Sequence, residues 1–212
     1  MEKLESSLKN MLISLGGIAL VCALLLAVVN ALTEKKILKV NEEKTARAIA
    51  RVLPAYGGTT LDTLVTLDDE SFKVHKAMAD DTTVVGYAIE TSTAGFGGPL
   101  NLMVGFTPDG RICATDVISH TETPGLGAKI SEAAGHFRTQ FENRNPAQYR
   151  LSVTKDGGDV DAITASTITS RAFTAAVAKA YNVYLAASGS KADAVSAATA
   201  PQVGEGGNDE AN

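Results

Sequence analysis

The chain has no tryptophan, two cysteines and three histidines, and aromatic residues make up only 5% of it. Each scarcity closes off a class of chemistry. Cys22 and Cys113 cannot staple a disulfide scaffold or supply the thiolates of a zinc site or iron–sulfur cluster. His75, His120 and His136 lie too far apart in sequence for a pair on one helical turn, and no His-Glu-x-x-His motif occurs. Ser119-His120 with Asp116 invites a triad reading, but adjacent side chains on a strand point to opposite faces. Positive charge is short as well: 19 Lys and Arg stand against 24 Asp and Glu, a net charge of −5. Nucleic acid is therefore not an expected partner. The segments Gly95-Phe96-Gly97-Gly98 and Gly125-Leu126-Gly127 each lack the third glycine of a dinucleotide fingerprint, and no phosphate-loop Lys-Ser/Thr follows either.

What the sequence does have is one long apolar run. Asn10 to Thr33 carries no charge, and Met11 to Leu32 forms a helix of about 33 Å at 1.5 Å per residue, enough to cross a hydrocarbon core of ~30 Å. The run exceeds the apolar core of a signal peptide and has no small-x-small cleavage site after it, and Ala19-Leu20-Val21 before Cys22 is no lipoprotein box. The expectation is a retained anchor in membrane lipid. Lys3 and Lys9 precede the run, while Lys35, Lys36, Lys39, Lys44, Arg47 and Arg51 follow it. Counted naively, these cations place the following domain in the cytoplasm, though the rule weakens for long translocated domains.

The 212 residues then leave room for one domain of roughly 100 to 150 residues. The expected organisation is a cytoplasmic N-terminus over 1–10, a transmembrane helix over 11–32, a helical linker over 33–58, a domain over 59–187 and a disordered acidic tail over 188–212. In the linker, Asn41-Glu42-Glu43-Lys44 opens a short helix with Ala46, Ile49, Ala50 and Leu53 on one face, ended by Pro54 and Gly57-Gly58. Residues 59–70 read as a loop or irregular strand. Strand patterns follow at Phe72–Ala77, Thr83–Ile89, Leu100–Phe106 and Ile112–Ile118, the last two joined by Pro108-Asp109-Gly110 as an antiparallel hairpin. A helix is expected from Ser131 through Phe137 and Phe141, a short strand over Tyr149–Val153, and a helix over Ile168–Leu185 with Phe173, Val177, Ala180 and Tyr184 facing inward. The fold class is α+β with a mixed, partly antiparallel sheet. Tyr87 and Phe96 read as core residues.

Two segments remain as sites. His120-Thr121-Glu122-Thr123-Pro124-Gly125-Leu126-Gly127 joins a strand exit to a proline-fixed turn with glycines that admit a ligand close to backbone. Asp161-Ala162-Ile163-Thr164-Ala165-Ser166-Thr167-Ile168-Thr169-Ser170 packs five hydroxyl residues before a helix. Those hydroxyls either cap the helix or, at its N-terminus, help hold a phosphate.

Together these segments resemble the FMN-binding domain shared by the RnfG-type component of the Rnf electron-transport complex and the NqrC-type component of the sodium-pumping NADH:quinone reductase. The likeness covers about residues 8–187. The family's His-x-Glu-Thr-Pro-Gly-Leu-Gly loop is present as His120, Glu122, Thr123, Pro124, Gly125, Leu126 and Gly127, and Gly95–Leu100 is similar to its Gly-Tyr-x-Gly-Pro-Ile stretch. Its Asp-x-x-Ser/Thr-Gly-Ala-Thr-x-Thr-Ser motif is matched by Asp161, Thr164, Thr167, Thr169 and Ser170, with Ala165-Ser166 replacing Gly-Ala. A methyl thus replaces a hydrogen beside the key threonine, and Ser166 adds a second hydroxyl.

The resemblance implies FMN joined covalently to Thr167 through a phosphoester, with Asp161, Thr164, Ala165, Ser166, Thr169, Ser170 and the 122–127 loop around it. It implies a flavin transferase, using FAD and magnesium, as maturation partner, and the other membrane and redox subunits of a complex as working partners. The function implied is an electron relay, without turnover of its own, in a complex coupling ferredoxin/NAD redox to ion translocation. It sits in the bacterial inner (cytoplasmic) membrane with its domain on the periplasmic side. The chain's length and single N-terminal helix resemble the Rnf component more than the sodium-pump component. The latter, a flavin domain serving another membrane reductase, and a non-redox assembly module with bare Thr167 stand as alternatives.

Overall fold

The computed structural model describes residues 8–56, 59–80, 82–132 and 135–189, apart from the side chains of 8, 9, 35 and 38. The expected N-terminal segment before Leu8, the glycine pair 57–58, residues 133–134 and the tail beyond 189 lie outside the described residues. The chain divides into two compact units after Lys44.

Helix α1 runs from Leu8 to Val52 without a break. The apolar span and the helix expected at Asn41 are one element, because no glycine or proline interrupts the sequence between Asn30 and Val52. In the first unit this helix is long and apolar enough to cross a membrane, with a mean hydropathy of 2.8 over its most apolar 18 residues. Its leucines, isoleucines and valines between Met11 and Leu32 are exposed all round, as in a segment that meets lipid.

In the second unit, β1 (Thr60–Leu67), β2 (Glu70–Met78), β3 (Val84–Ala94), β4 (Pro99–Phe106) and β5 (Ile112–His120) form one sheet in sequence order. Every neighbouring pair is antiparallel, so the sheet is more uniform than the mixed one expected. The single parallel pairing among the described residues is the isolated bridge Val153–Val160, all that the strand expected at Tyr149–Val153 becomes. β1 occupies the stretch read as loop or irregular strand. Its two-residue connection to β2 is Asp68-Asp69, both at positive φ (50° and 63°), an αL turn written without the usual glycine.

The sheet is covered on both faces. Helix α3 (Thr167–Ser188) lays Phe173, Val177, Tyr181 and Tyr184 over Ile89, Leu100, Leu102, Val104 and Phe106. Tyr87 is core, its ring edge-on to Tyr184 at 5.2 Å. On the other face the last two turns of α1, with Ala48, Ile49 and Val52, and the following Leu53 pack against Ala77, Ala88 and Met103. This double coverage explains why β4 reads as a nearly continuous apolar run.

The helix expected from Ser131 to Phe141 is broken up. A 3₁₀ turn (Gly127–Ser131) and the short α2 (His136–Thr139) replace it, with Gly135 in an extended conformation between them. Phe137 and Phe141 still reach the core, each within 5.3 Å of the Phe173 ring centroid. This segment also closes the free edge of β5. Asn143 N–H donates to the Ile112 carbonyl (2.8 Å), Ile112 N–H to that of Arg144 (2.9 Å), and the buried Arg138 guanidinium to that of Thr115. Arg138 also holds Asp116 (3.0 Å), whose other oxygen accepts from Arg51 on α1 (3.3 Å). Burial pushes the Arg138 guanidinium below its ordinary value, and Asp116 opposes that shift.

Gly105 sets how closely α1 seats on β4, because a Cβ there would collide with the Val52 carbonyl. Gly105→Ala is expected to cost about 1–3 kcal/mol through overpacking, read as a fall in the denaturation midpoint with an unchanged denaturant slope.

Candidate functional site

The site forms where α3 begins. Ser166 N–H donates to the Ile163 carbonyl (3.0 Å), closing a four-residue turn with Ala165 in third place at φ 62°. Positive φ at that position is the pattern of a type II turn, which favours glycine. This chain builds the turn with an alanine held in the left-handed region. Ser170 ties the turn to the helix from inside: its Oγ accepts from Ile163 N–H (3.0 Å) and donates to the Ser166 carbonyl (2.9 Å).

Ser166 is the N-cap residue by position, yet its side chain makes no capping bond and is buried. Among the described residues, the backbone N–H groups of Thr167, Ile168 and Thr169 have no hydrogen-bond acceptor. The capping role open to these hydroxyls is thus not taken, and three N–H groups at the positive end of a 22-residue helix are free for an anion.

The second wall is the loop that leaves β5. Glu122 is 5% exposed, and its carboxylate accepts from Thr169 Oγ1 (2.7 Å) through one oxygen and from Gly97 N–H (3.2 Å) through the other. Its own N–H donates to His120 Nδ1 (3.2 Å). Thr121 Oγ1 donates to the Gly97 carbonyl (2.8 Å), joining the same two loops a second time. Gly127 is required by closeness: a Cβ there would stand 2.5 Å from a Glu122 oxygen and 2.8 Å from Thr169 Oγ1.

Between these walls lies a cleft of about 400 Å³. Glu122, Thr123, Leu126 and Gly127 line one side, Ala165 to Thr169 the other, and Phe96 stands at the rim. Thr167 is half-buried there, at the first residue of the helix and next to the free amides of Ile168 and Thr169. Phe96, Leu126 and Ile168, exposed by 68%, 44% and 53%, give the opening an apolar border. Among the described residues, Glu122 is the one ionisable side chain in the lining. Elsewhere on β5, burial and then Asp109 push the Cys113 thiol up to about 11, which leaves it inert at neutral pH.

Of the residues singled out from sequence, Glu122, Thr123, Leu126, Gly127, Ala165, Ser166, Thr167 and Thr169 meet at this cleft. Ser170 stands behind it as a brace. Pro124 and Gly125 are exposed outside the lining, Thr164 is exposed on the turn, and Asp161 is bonded through its backbone to the Gln140 amide. Phe96 is not the core residue expected. Its flanking glycines mark a loop, which is where the structure puts it. Ile168 is a lining residue that the sequence does not single out, because its spacing marks it only as the first apolar position of the helix.

Residues 95–182 match the family model described as an FMN-binding domain, and residues 1–52 match the model of the RnfG N-terminal region. The G subunit of the ion-translocating oxidoreductase complex of Haemophilus influenzae is 35% identical over 170 residues, spanning 76% of this chain and 82% of that protein. The protein of the same name from Pseudomonas aeruginosa is 33% identical over 194 residues (85% and 89%), and that from Methanosarcina acetivorans 31% over 172 residues (79% and 89%). Among solved structures, the C subunit of the Na+-translocating NADH-quinone reductase of Parabacteroides distasonis shares the fold. Its TM-score is 0.54 at 20% identity, covering 74% of this chain and 98% of that one.

The alanine at φ 62° is a measurable strain. Ala165→Gly is expected to stabilise the domain by about 1 kcal/mol, raising its melting temperature by about 2–4 °C, whereas Ala165→Val lowers it.

Proposed function

The chain belongs to the RnfG family, the G subunits of ion-translocating oxidoreductase complexes, and from that premise we propose that it is a membrane-anchored flavoprotein carrying FMN on Thr167. The observation that carries this reading is the half-buried Thr167 at an uncapped helix N-terminus, in a cleft with an apolar border.

The residues present fit the group. The free N–H groups of Thr167, Ile168 and Thr169 suit a phosphate, because the helix dipole and unpaired donors both favour negative charge there. Phe96, Leu126 and Ile168 suit a planar aromatic ring that is apolar on its faces. Position also selects Thr167 among the five hydroxyls of this segment. Ser166 is buried, Thr169 is bound to Glu122, Ser170 is bound to Ser166, and Thr164 lies outside the cleft. The burial of Ser166 supports Thr167 over it as acceptor, and the turn forms with alanine at 165.

FMN bound here supplies reversible electron transfer. The free N–H groups of Thr167, Ile168 and Thr169 would hold the phosphate, and Phe96, Leu126 and Ile168 would border the ring. Attachment needs a separate flavin transferase. In such a transfer the Thr167 hydroxyl would accept the FMN phosphoryl group of FAD, with AMP and a proton as the other products. The mature protein relays electrons within an Rnf-type complex in the inner membrane, its domain on the periplasmic side and the other subunits as partners. The likeness to the sodium-translocating reductase component concerns the fold alone and does not favour that complex.

Coexpression with a flavin transferase is expected to give a band whose flavin fluorescence survives denaturing electrophoresis. It disappears in Thr167→Val and persists in Thr167→Ser. A dark wild-type band beside an active transferase would leave the non-redox assembly module as the better reading. For topology, a reporter active only in the periplasm, fused after Ala187, is expected to be active; silence would place the domain in the cytoplasm.

A further inference from the structure

The cleft has an uneven charge. Glu122 is 5% exposed, and among the described residues no lysine or arginine forms an ion pair with it. Its partners are neutral donors, Gly97 N–H and Thr169 Oγ1–H. Arg171, one turn beyond Thr167, is engaged with Asp156 at 2.6 Å and does not line the cleft. The cleft thus contains a buried carboxylate without a counter-cation, where a charge is screened far less than at the surface.

We propose that Glu122, besides bracing the two loops, is the electrostatic residue that holds the potential of the Thr167-linked flavin low. This rests on the FMN reading above. Two-electron reduction with uptake of one proton converts the neutral flavin ring to a ring with one negative charge. A fixed carboxylate in the lining disfavours that product and leaves the oxidised ring almost unaffected. The effect is large enough to measure: a unit charge acting over about 10 Å at an effective dielectric of about 20 changes such an equilibrium more than tenfold. Thr169 moderates it by donating to the carboxylate, which disperses part of its charge.

The test is a spectroelectrochemical titration, with mediator dyes, of the full-length flavin-bearing protein in detergent. Glu122→Gln keeps the shape and loses the charge; its ratio of reduced to oxidised flavin at a fixed applied potential is expected to rise at least tenfold, a positive shift of ~30 mV for a two-electron couple. Thr169→Val keeps the charge and loses the donor, so its potential is expected to fall. An unchanged potential in Glu122→Gln overturns the proposal. So does an upward shift in both variants, which is what loop displacement alone would produce. Should Glu122→Gln fail to fold, Thr169→Val still decides, since anything but a downward shift contradicts the electrostatic role. Wild-type protein without covalent flavin is a different failure, visible on the gel before any titration, and it removes the FMN reading itself.

Discussion

Three stretches of chain far apart in sequence meet at one carboxylate. Glu122 binds the backbone of the 95–98 loop through Gly97 and the first turn of α3 through Thr169, while its own N–H is held by His120 at the end of β5. A buried carboxylate is costly unless its oxygens find donors, so each of these bonds carries a penalty for loss as well as a gain for formation. The glycines around it follow from the same constraint. At 95, 97 and 127 a Cβ would collide with Glu122 or the Thr121 carbonyl beside it, so the loops close only because those side chains are missing.

That brace is useful only if β5 is itself fixed, and the sheet supplies this from both faces and from the edge. α3 covers one face and the end of α1 the other, while the 135–144 segment bonds along β5 where a sixth strand would lie. Asp116 joins the arrangement, taking Arg138 from the edge and Arg51 from α1. Arg51, in the last turn of α1, is thereby tied to the strand that delivers His120 and Glu122. With Arg138 only 7% exposed, the Arg138–Asp116 pair is a buried one. Such a pair is weak evidence for added stability, but removal of either partner leaves a buried charge unpaired.

Much of this is legible in the sequence, where local chemistry and tertiary packing agree. Pro108-Asp109-Gly110 marks the β4–β5 hairpin, and the spacing of Phe173, Val177 and Tyr184 marks the buried face of α3. The failures have physical causes. β1 reads as a loop because an edge strand exposed over most of its length carries little apolar pattern, and its turn uses two aspartates in place of Asn-Gly. The helix expected after Ser131 fails at Gly135, which costs helix propensity where the chain must bend to reach the β5 edge. In the site, composition points to the two segments that line the cleft and cannot rank their members. Five hydroxyl residues among seven positions look alike until burial distinguishes the half-buried Thr167 from the buried Ser166, and Phe96 resembles core because a hydrophobic residue carries no mark of facing solvent.

The places where local rules are broken coincide with the cleft. A serine stands at the N-cap of α3 without capping, an alanine occupies a backbone conformation suited to glycine, and three large apolar side chains remain exposed around one opening. Each costs stability, and none is repaired by its neighbours, although Ser166 could cap the helix if its side chain turned outward. A chain selected for stability alone would not gather all three around Thr167. They make sense if a negatively charged group completes the helix end and a flat apolar group covers the border. Unsatisfied donors and unsatisfied apolar surface then become two halves of one binding requirement, and the Glu122 brace keeps both in place before the ligand arrives.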